Sequence, residues 1–259
     1  MAWDFFGIVE DEMYWQFWLK DKTFIKAFEP EIAATKDLLF DETSKECLQN
    51  VFAFRQGEHL EYSDFSHPER QYLNEITMSK IGEKNAYVDI GAYDGANYDE
   101  LAEIKKPSCT LMFEPDTRNF SKIVIRMSKE DMGNIHAFPI AVTDKAEILR
   151  FNDFGQEDSS ISETGNKTVL AKSLDNLAPE DMPVSLIKMD VVGAESLVVA
   201  GAKSTIKRWM PTLCISLYHN FDDLWVIPAY INEYFSDYHL YLRQHTRNSF
   251  DLFLYAVKS

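Results

Sequence analysis

An α/β fold built on a mostly parallel sheet is predicted from three observations on the 259-residue chain. The first is a set of near-continuous apolar segments: 86-AYVDIGA-92, 109-CTLMFEP-115, 135-IHAFPIAV-142, 184-VSLIKMDV-191 and 212-TLCISLYH-219. Strands covered on both faces read this way, because neither side faces water. The second is what lies between them. The first two gaps suit helices near 95–105 and 117–128, and 195-ESLVVAGAKSTIKRWM-210 reads as a helix stopped by Pro211. Strand and helix alternation places helices on both faces of a parallel sheet. The third is the ending, 239-HLYLRQHTRNSFDLFLYAVK-258, two strands with a connection short enough to make them an antiparallel hairpin.

The chain divides on this reading into a helical N-terminal extension over 1–80 and a main domain over 81–259. In the extension, Ile32, Leu38, Leu39, Leu48, Val51, Phe52 and Phe54 fall at helical spacings, with Asp41 or Thr43 capping a second helix and Gly57 stopping it. The first 25 residues carry Trp3, Phe5, Phe6, Tyr14, Trp15, Phe17 and Trp18, a pattern for packing onto the main domain or onto a second copy, so a homodimer is expected. After the third strand, 145-KAEILRFNDFGQEDSSISETGNKTVLAKSL-174 reads as short strands around a polar loop.

The bulk numbers bound the function. A formal net charge of −16 disfavours nucleic acid or an anionic membrane as partner. The three cysteines, Cys47, Cys109 and Cys214, form no CxxC pair or disulfide framework, which fits a reducing, cytoplasmic setting. No run of about 20 apolar residues is present, and the N-terminus lacks the pattern of a secretory signal.

In open parallel sheets, ligands bind beyond the carboxyl ends of the strands. Position alone therefore selects Asp89 and Gly91, Glu114, Ile140 and Ala141, Asp190, and Tyr218 and His219, a set rich in acids. In the first turn, Gly91 and Gly95 let the backbone approach a ligand, with Ala92 and Asp94 between them. The dinucleotide spacing G-x-G-x-x-G is missing. A carboxylate beside a pyrophosphate is also unfavourable, since unit charges 4 Å apart interact by about 4 kcal/mol at an effective dielectric near 20. The same acids favour a ligand carrying an ammonium and a sulfonium. Glu114, which with Pro115 closes the second strand 23 positions after Gly91, stands where an acid accepts hydrogen bonds from ribose hydroxyls. S-adenosylmethionine combines these features and is the expected cofactor.

The motifs VDIGAYDG, FEPD, IKMDVVGAE and the ending FDLFLYAV resemble the FkbM family of S-adenosylmethionine-dependent methyltransferases over about residues 85–258, and DETS at 41–44 and QYL at 71–73 resemble the N-terminal extension of some members. The resemblance implies a seven-stranded, Rossmann-like class I methyltransferase fold and methyl transfer to a hydroxyl, often on a sugar or a secondary metabolite. It implies Asp89, Gly91 and Asp94 around the methionine moiety and Glu114 at the ribose. Val192 departs from the family pattern D-V-E-G-x-E, leaving Asp190 and Glu195 as the local acids.

A sulfonium is already a good leaving group, so the protein's tasks are to hold an acceptor oxygen in line and exclude water. His219, with Asp222 to orient it, is the first candidate for the base that takes the hydroxyl proton, and Asp190 the second, as base or as a group that binds and orients the cofactor. Each has a plainer reading as a cap of the helix that follows. His59, His67, His136, His239 and His245 lie away from these strand ends and read as structural or solvated. The loop 153-DFGQEDSSISETGN-166 is a candidate lid with Asp158, Ser159 and Ser160 facing the site, and Gln71 and Tyr72 are candidates to cover the cofactor, although packing explains them too. Asp190, Glu195, Asp222 and His219 have no spacing of a dedicated cage, so no metal is expected. Two other readings remain at this point: a nucleotide-linked oxidoreductase, and a binding or scaffold protein that keeps the fold without turnover.

Overall fold

A computed structural model describes residues 26–55, 70–78, 85–128, 134–153, 155, 159–245 and 251–259. The aromatic segment within the first 25 residues, Gly57, His59, His67 and Asp158 lie outside them. In chain order the helices are α1 (Glu29–Leu38), α2 (Glu42–Arg55), α3 (Glu75–Met78), α4 (Ala96–Ile104), α5 (Thr117–Met127), α6 (Leu174–Leu177), α7 (Glu195–Gly201), α8 (Lys203–Trp209) and α9 (Asp223–Tyr234). The strands are β1 (Ala86–Ile90), β2 (Cys109–Phe113), β3 (Ile135–Phe138), β4 (Ala141–Val142), β5 (Glu147–Asn152), β6 (Ser160–Ile161), β7 (Lys167–Lys172), β8 (Val184–Met189), β9 (Thr212–Ser216), β10 (Tyr238–Gln244) and β11 (Leu252–Lys258).

A seven-stranded sheet has the order β10-β11-β9-β8-β1-β2-β3. The pairs β1–β2, β2–β3, β1–β8 and β8–β9 are parallel. Strands β10 and β11 are neighbours joined by residues 245–251, too few for a parallel crossover, so they form the antiparallel hairpin read from the sequence. Every residue of β1 and β8 is buried, which is why both segments are apolar almost throughout. From β1 the chain moves outward through β2 to β3, then returns to β8 on the opposite flank. The ends of β1 and β8 thus form the switch point at which such sheets bind ligands.

The predicted third strand, 135–142, is two strands in two sheets. Strand β3 pairs with β2, whereas β4 joins a four-stranded sheet of order β4-β7-β5-β6. Pro139 lies between them, has no N–H to offer a ladder, and ends the first run. The helix predicted over 195–210 is likewise two, α7 and α8, meeting at Ala202. Gly201 lies so close to the chain of Thr143 that a Cβ there would sit 2.0 Å from the Thr143 carbonyl oxygen.

The chain forms two compact units, Met1–Gln71 with Ser216–Tyr255 and Tyr72–Ile215 with Ala256–Ser259. In the first, α1 packs on α9 and α2 on β10. Asp41 caps α2 by accepting from Ser44 N at 2.8 Å, and Arg243 of β10 reaches Asp41 Oδ2 at 2.6 Å and Ser44 Oγ at 2.8 Å. Phe28 stacks on Trp225 of α9 at 4.7 Å. The second unit holds the parallel strands and the four-stranded sheet. Among the described residues no helix is long and apolar enough to cross a membrane.

Candidate active site

The second unit brings together Asp89, Gly91, Glu114, Lys188 and Asp190 through the ends of three adjacent strands, with Tyr72 beside them. The parallel register pairs Asp89 on β1 with Lys188 on β8, and Glu114 and Asp190 each follow the last residue of a strand.

The glycine turn is tight by construction. Gly91 has φ +76°, and a Cβ on it would lie 1.9 Å from the Asp190 carbonyl oxygen, so no other residue fits. Ala92 is buried, and Tyr93 takes the left-handed conformation at φ 53°. Gly95, also left-handed at φ 78°, stands at the N-cap of α4. The acids of the turn are engaged within the protein. Asp94 Oδ1 accepts from Ala96 N at 2.9 Å, its Oδ2 lies 3.0 Å from Arg126 Nη2, and Arg126 also pairs with Asp99. The negative charge noted in the sequence is therefore partly balanced by a cation from α5.

Glu114 is buried at the end of β2, with 6% of its surface exposed. Its Oε2 accepts from Tyr93 N and its Oε1 from Asp116 N, both at 2.8 Å. Burial outweighs these two bonds and pushes the carboxyl pKa up to about 7. Each oxygen keeps one acceptor direction, since a carboxylate oxygen has two. Pro115 follows, and Asp116 caps α5 by accepting from Arg118 N at 2.8 Å and Asn119 N at 3.0 Å through Oδ1. Its Oδ2 accepts from Gly155 N at 2.8 Å and Ser159 Oγ at 2.6 Å, which anchors part of the predicted lid loop to the start of α5. Ser160 begins β6.

At the end of β8 lies the residue that sequence reasoning missed. Lys188 has 2% of its surface exposed; its Nζ lies 3.1 Å from Asp89 Oδ1 and donates to the Gly91 carbonyl at 2.5 Å. The Tyr72 ring lies 5.4 Å from the same ammonium, within cation–π range. Burial alone would lower the ammonium's pKa, but the Asp89, Asp190 and Glu114 carboxylates together carry it above the ordinary value. Asp89, with no exposed surface, is raised by burial against the opposing pull of Lys188. The signal was visible in 184-VSLIKMDV-191, where a lone cation interrupts an apolar strand; a buried charge demands a partner.

Asp190 is half-buried and its Oδ2 accepts from Tyr72 Oη at 2.9 Å. Glu195 Oε1 accepts from Val191 N at 3.0 Å and shapes the turn around half-buried Val192 and Gly193. Ile140 and Ala141 lie at the passage from β3 to β4, Ile140 half-buried and Ala141 buried. His219 belongs to the other unit, where it is buried with Nδ1 3.3 Å from Ser216 Oγ. Asp222 occupies the N-cap of α9 without a side-chain cap bond.

A parallel sheet turning at β1, a glycine turn after that strand, a buried acid after β2 and a C-terminal hairpin define the class I methyltransferase fold. Within that class the chain belongs to the methyltransferase FkbM domain family, whose model matches residues 89–248. A methyltransferase FkbM from Methylobacillus flagellatus KT has a similar structure, with a TM-score of 0.73 and 22% identity over 90% of this chain and 60% of that one. This chain thus spans less than two thirds of that protein's length, and the likeness is one of fold. An rRNA methylase from Streptococcus thermophilus aligns with a TM-score of 0.47 and 14% identity, over 71% of this chain and 92% of that chain. A Streptococcus mutans protein in complex with SAH aligns with a TM-score of 0.47 and 10% identity, over 70% of this chain and 93% of that chain. No curated protein matches the chain.

Proposed function

We propose that the chain is an S-adenosylmethionine-dependent O-methyltransferase acting on a hydroxyl of a saccharide or a natural-product small molecule. The observation that carries the reading is Glu114: a buried carboxylate beyond β2, fixed by two backbone amides, with one acceptor direction left on each oxygen. Two such directions suit the vicinal hydroxyls of a ribose. The Gly91 turn next to it brings bare backbone to the same strand ends. S-adenosylmethionine, when bound, supplies the electrophilic methyl group.

The chain's own residues have the remaining tasks. Glu114 orients the nucleoside end, while Asp89 works through Lys188 from beneath the turn. His219, which follows the fifth parallel strand in the sequence, is the first candidate to take the acceptor's proton, and Asp190, held by Tyr72, is the alternative. The acceptor class rests on the family, and the net charge of −16 argues against nucleic acid in that role.

Calorimetric titration with S-adenosylhomocysteine tests the cofactor. Wild type is expected to bind it, and Glu114→Ala to bind at least about tenfold more weakly, the loss of charge-assisted hydrogen bonds worth about 1.5–3 kcal/mol. A folded wild type that binds neither S-adenosylmethionine nor its product would overturn the reading and favour a scaffold that kept only the fold.

A further inference from the structure

The mechanism above leaves Lys188 without a direct part, although it is the buried cation at the centre of the site. Its surroundings give it a specific task. The peptide joining Gly91 to Ala92 is planar, so its C=O and N–H point in opposite directions. The Ala92 N–H donates to the Phe113 carbonyl on β2 at 3.1 Å, and the Gly91 C=O accepts from Lys188 Nζ on β8 at 2.5 Å. The Gly91 N–H donates to the same Phe113 carbonyl at 3.0 Å. Both ends of this peptide are therefore pinned, one by each neighbouring strand. Glycine alone leaves its backbone free to adopt several conformations, with no Cβ to restrict it, and at φ +76° Gly91 depends on its hydrogen bonds to hold one of them.

We propose that Lys188 is a positioning residue: its ammonium, steadied by Asp89, clamps the Gly91 carbonyl and fixes the turn in the form that receives the cofactor. The proposal deepens the cofactor reading and rests on it for the ligand, but the clamp itself is a property of the free protein. A plainer role would make Lys188 only the counter-charge that lets Asp89 be buried. The two roles separate when both charges are removed together. Replacing a buried ion pair by apolar side chains of similar size is often neutral for stability, so Asp89→Leu/Lys188→Met satisfies the counter-charge role and abolishes the clamp, together with the Tyr87–Asp89 hydrogen bond and the Lys188–Tyr72 contact.

The test uses the full chain and two readouts on that double variant. Hydrogen exchange of the amides over 91–95 reads the turn, and titration with S-adenosylhomocysteine reads the site. With a thermal transition near that of wild type, exchange over 91–95 is expected to be at least tenfold faster while the β1, β2 and β8 amides stay protected. Affinity is expected to fall at least tenfold. Unchanged exchange over 91–95 overturns the clamp whatever the titration shows. A wild type that does not bind S-adenosylhomocysteine overturns the cofactor reading instead, and the exchange result still decides the clamp. Asp89→Asn/Lys188→Met, which keeps the shape at residue 89, is measured in the same way and decides the question should the first variant fail to fold.

Discussion

Glu114 shows what one residue's environment does to its chemistry. A carboxyl that titrates near 4.5 when solvated is carried to about 7 by burial, against two backbone bonds that favour its charged form. The raised value means the folded state holds this proton more tightly than the unfolded chain. Between pH 4.5 and about 7 the folded protein therefore binds the extra proton, and the contribution is full below 4.5 and lost as pH rises through 7. A shift of this size corresponds to about 3 kcal/mol. Urea unfolding of wild type and Glu114→Gln at pH 5 and pH 7.5 should show their stability difference moving by about 2–3 kcal/mol in favour of the variant at the higher pH. Binding should run the other way. Ribose hydroxyls donate to the ionised form, so S-adenosylhomocysteine affinity should fall by up to about tenfold per pH unit below 7. The strand-end positions of Glu114 and Gly91 are legible in the sequence because each closes an apolar run. The partner of Asp94 was not, since Arg126 lies on the next helix and only packing brings the two together.

At the scale of elements, α5 depends on the residue just before it. Asp116 uses one oxygen to cap the helix and the other to hold Gly155 and Ser159. Burial alone would raise its pKa, but the bonds from Ser159, Asn119, Gly155 and Arg118 together bring it below the ordinary value. Its stabilising contribution is present above the unfolded value of 3.8 and lost as pH falls through the lower folded value. Asp116→Ala is expected to cost about 2–4 kcal/mol in urea unfolding at pH 7, from a lost cap and two more stranded donors. Asp116→Asn, which keeps one carbonyl oxygen, is expected to cost about half as much. The sequence placed α4 and α5 to within a residue at each end, because periodicity and caps are local. It overran the five parallel strands, reading 86–92 for Ala86–Ile90 and 212–219 for Thr212–Ser216, since residues such as Ala92, Val191 and Leu217 carry apolar character past the last ladder bond into the loops that follow. Pro139 was in view as a strand breaker, but that its two sides serve different sheets is decided by tertiary pairing.

At the scale of the molecule, the parallel sheet and the final hairpin follow from alternation and connection length, whereas the strand order and the place of the N-terminal helices do not. Helices α1 and α2 share a compact unit with α9, β10 and most of β11. The α2 face of Cys47, Leu48, Val51, Phe52 and Phe54 is buried, as are Leu240 and Leu242 on the strand it covers. Arg243, 7% exposed, relies on Asp41 and Ser44 from the start of α2. Removing one partner of a largely buried ion pair typically costs about 3–5 kcal/mol, and Asp41 is partly solvated, so Asp41→Ala should cost about 2–3 kcal/mol. A chain starting at residue 57 loses far more: the cap, the ion pair, the Phe28–Trp225 stack and a whole apolar face at once. That sum exceeds the usual 5–15 kcal/mol margin of a folded domain only if the helices belong to the core of their unit rather than to a separable extension. The truncated chain is expected to lose its cooperative thermal transition and aggregate. Should it instead melt within a few degrees of the full chain, α1 and α2 are dispensable and the packing in their unit contributes little to the stability of the rest.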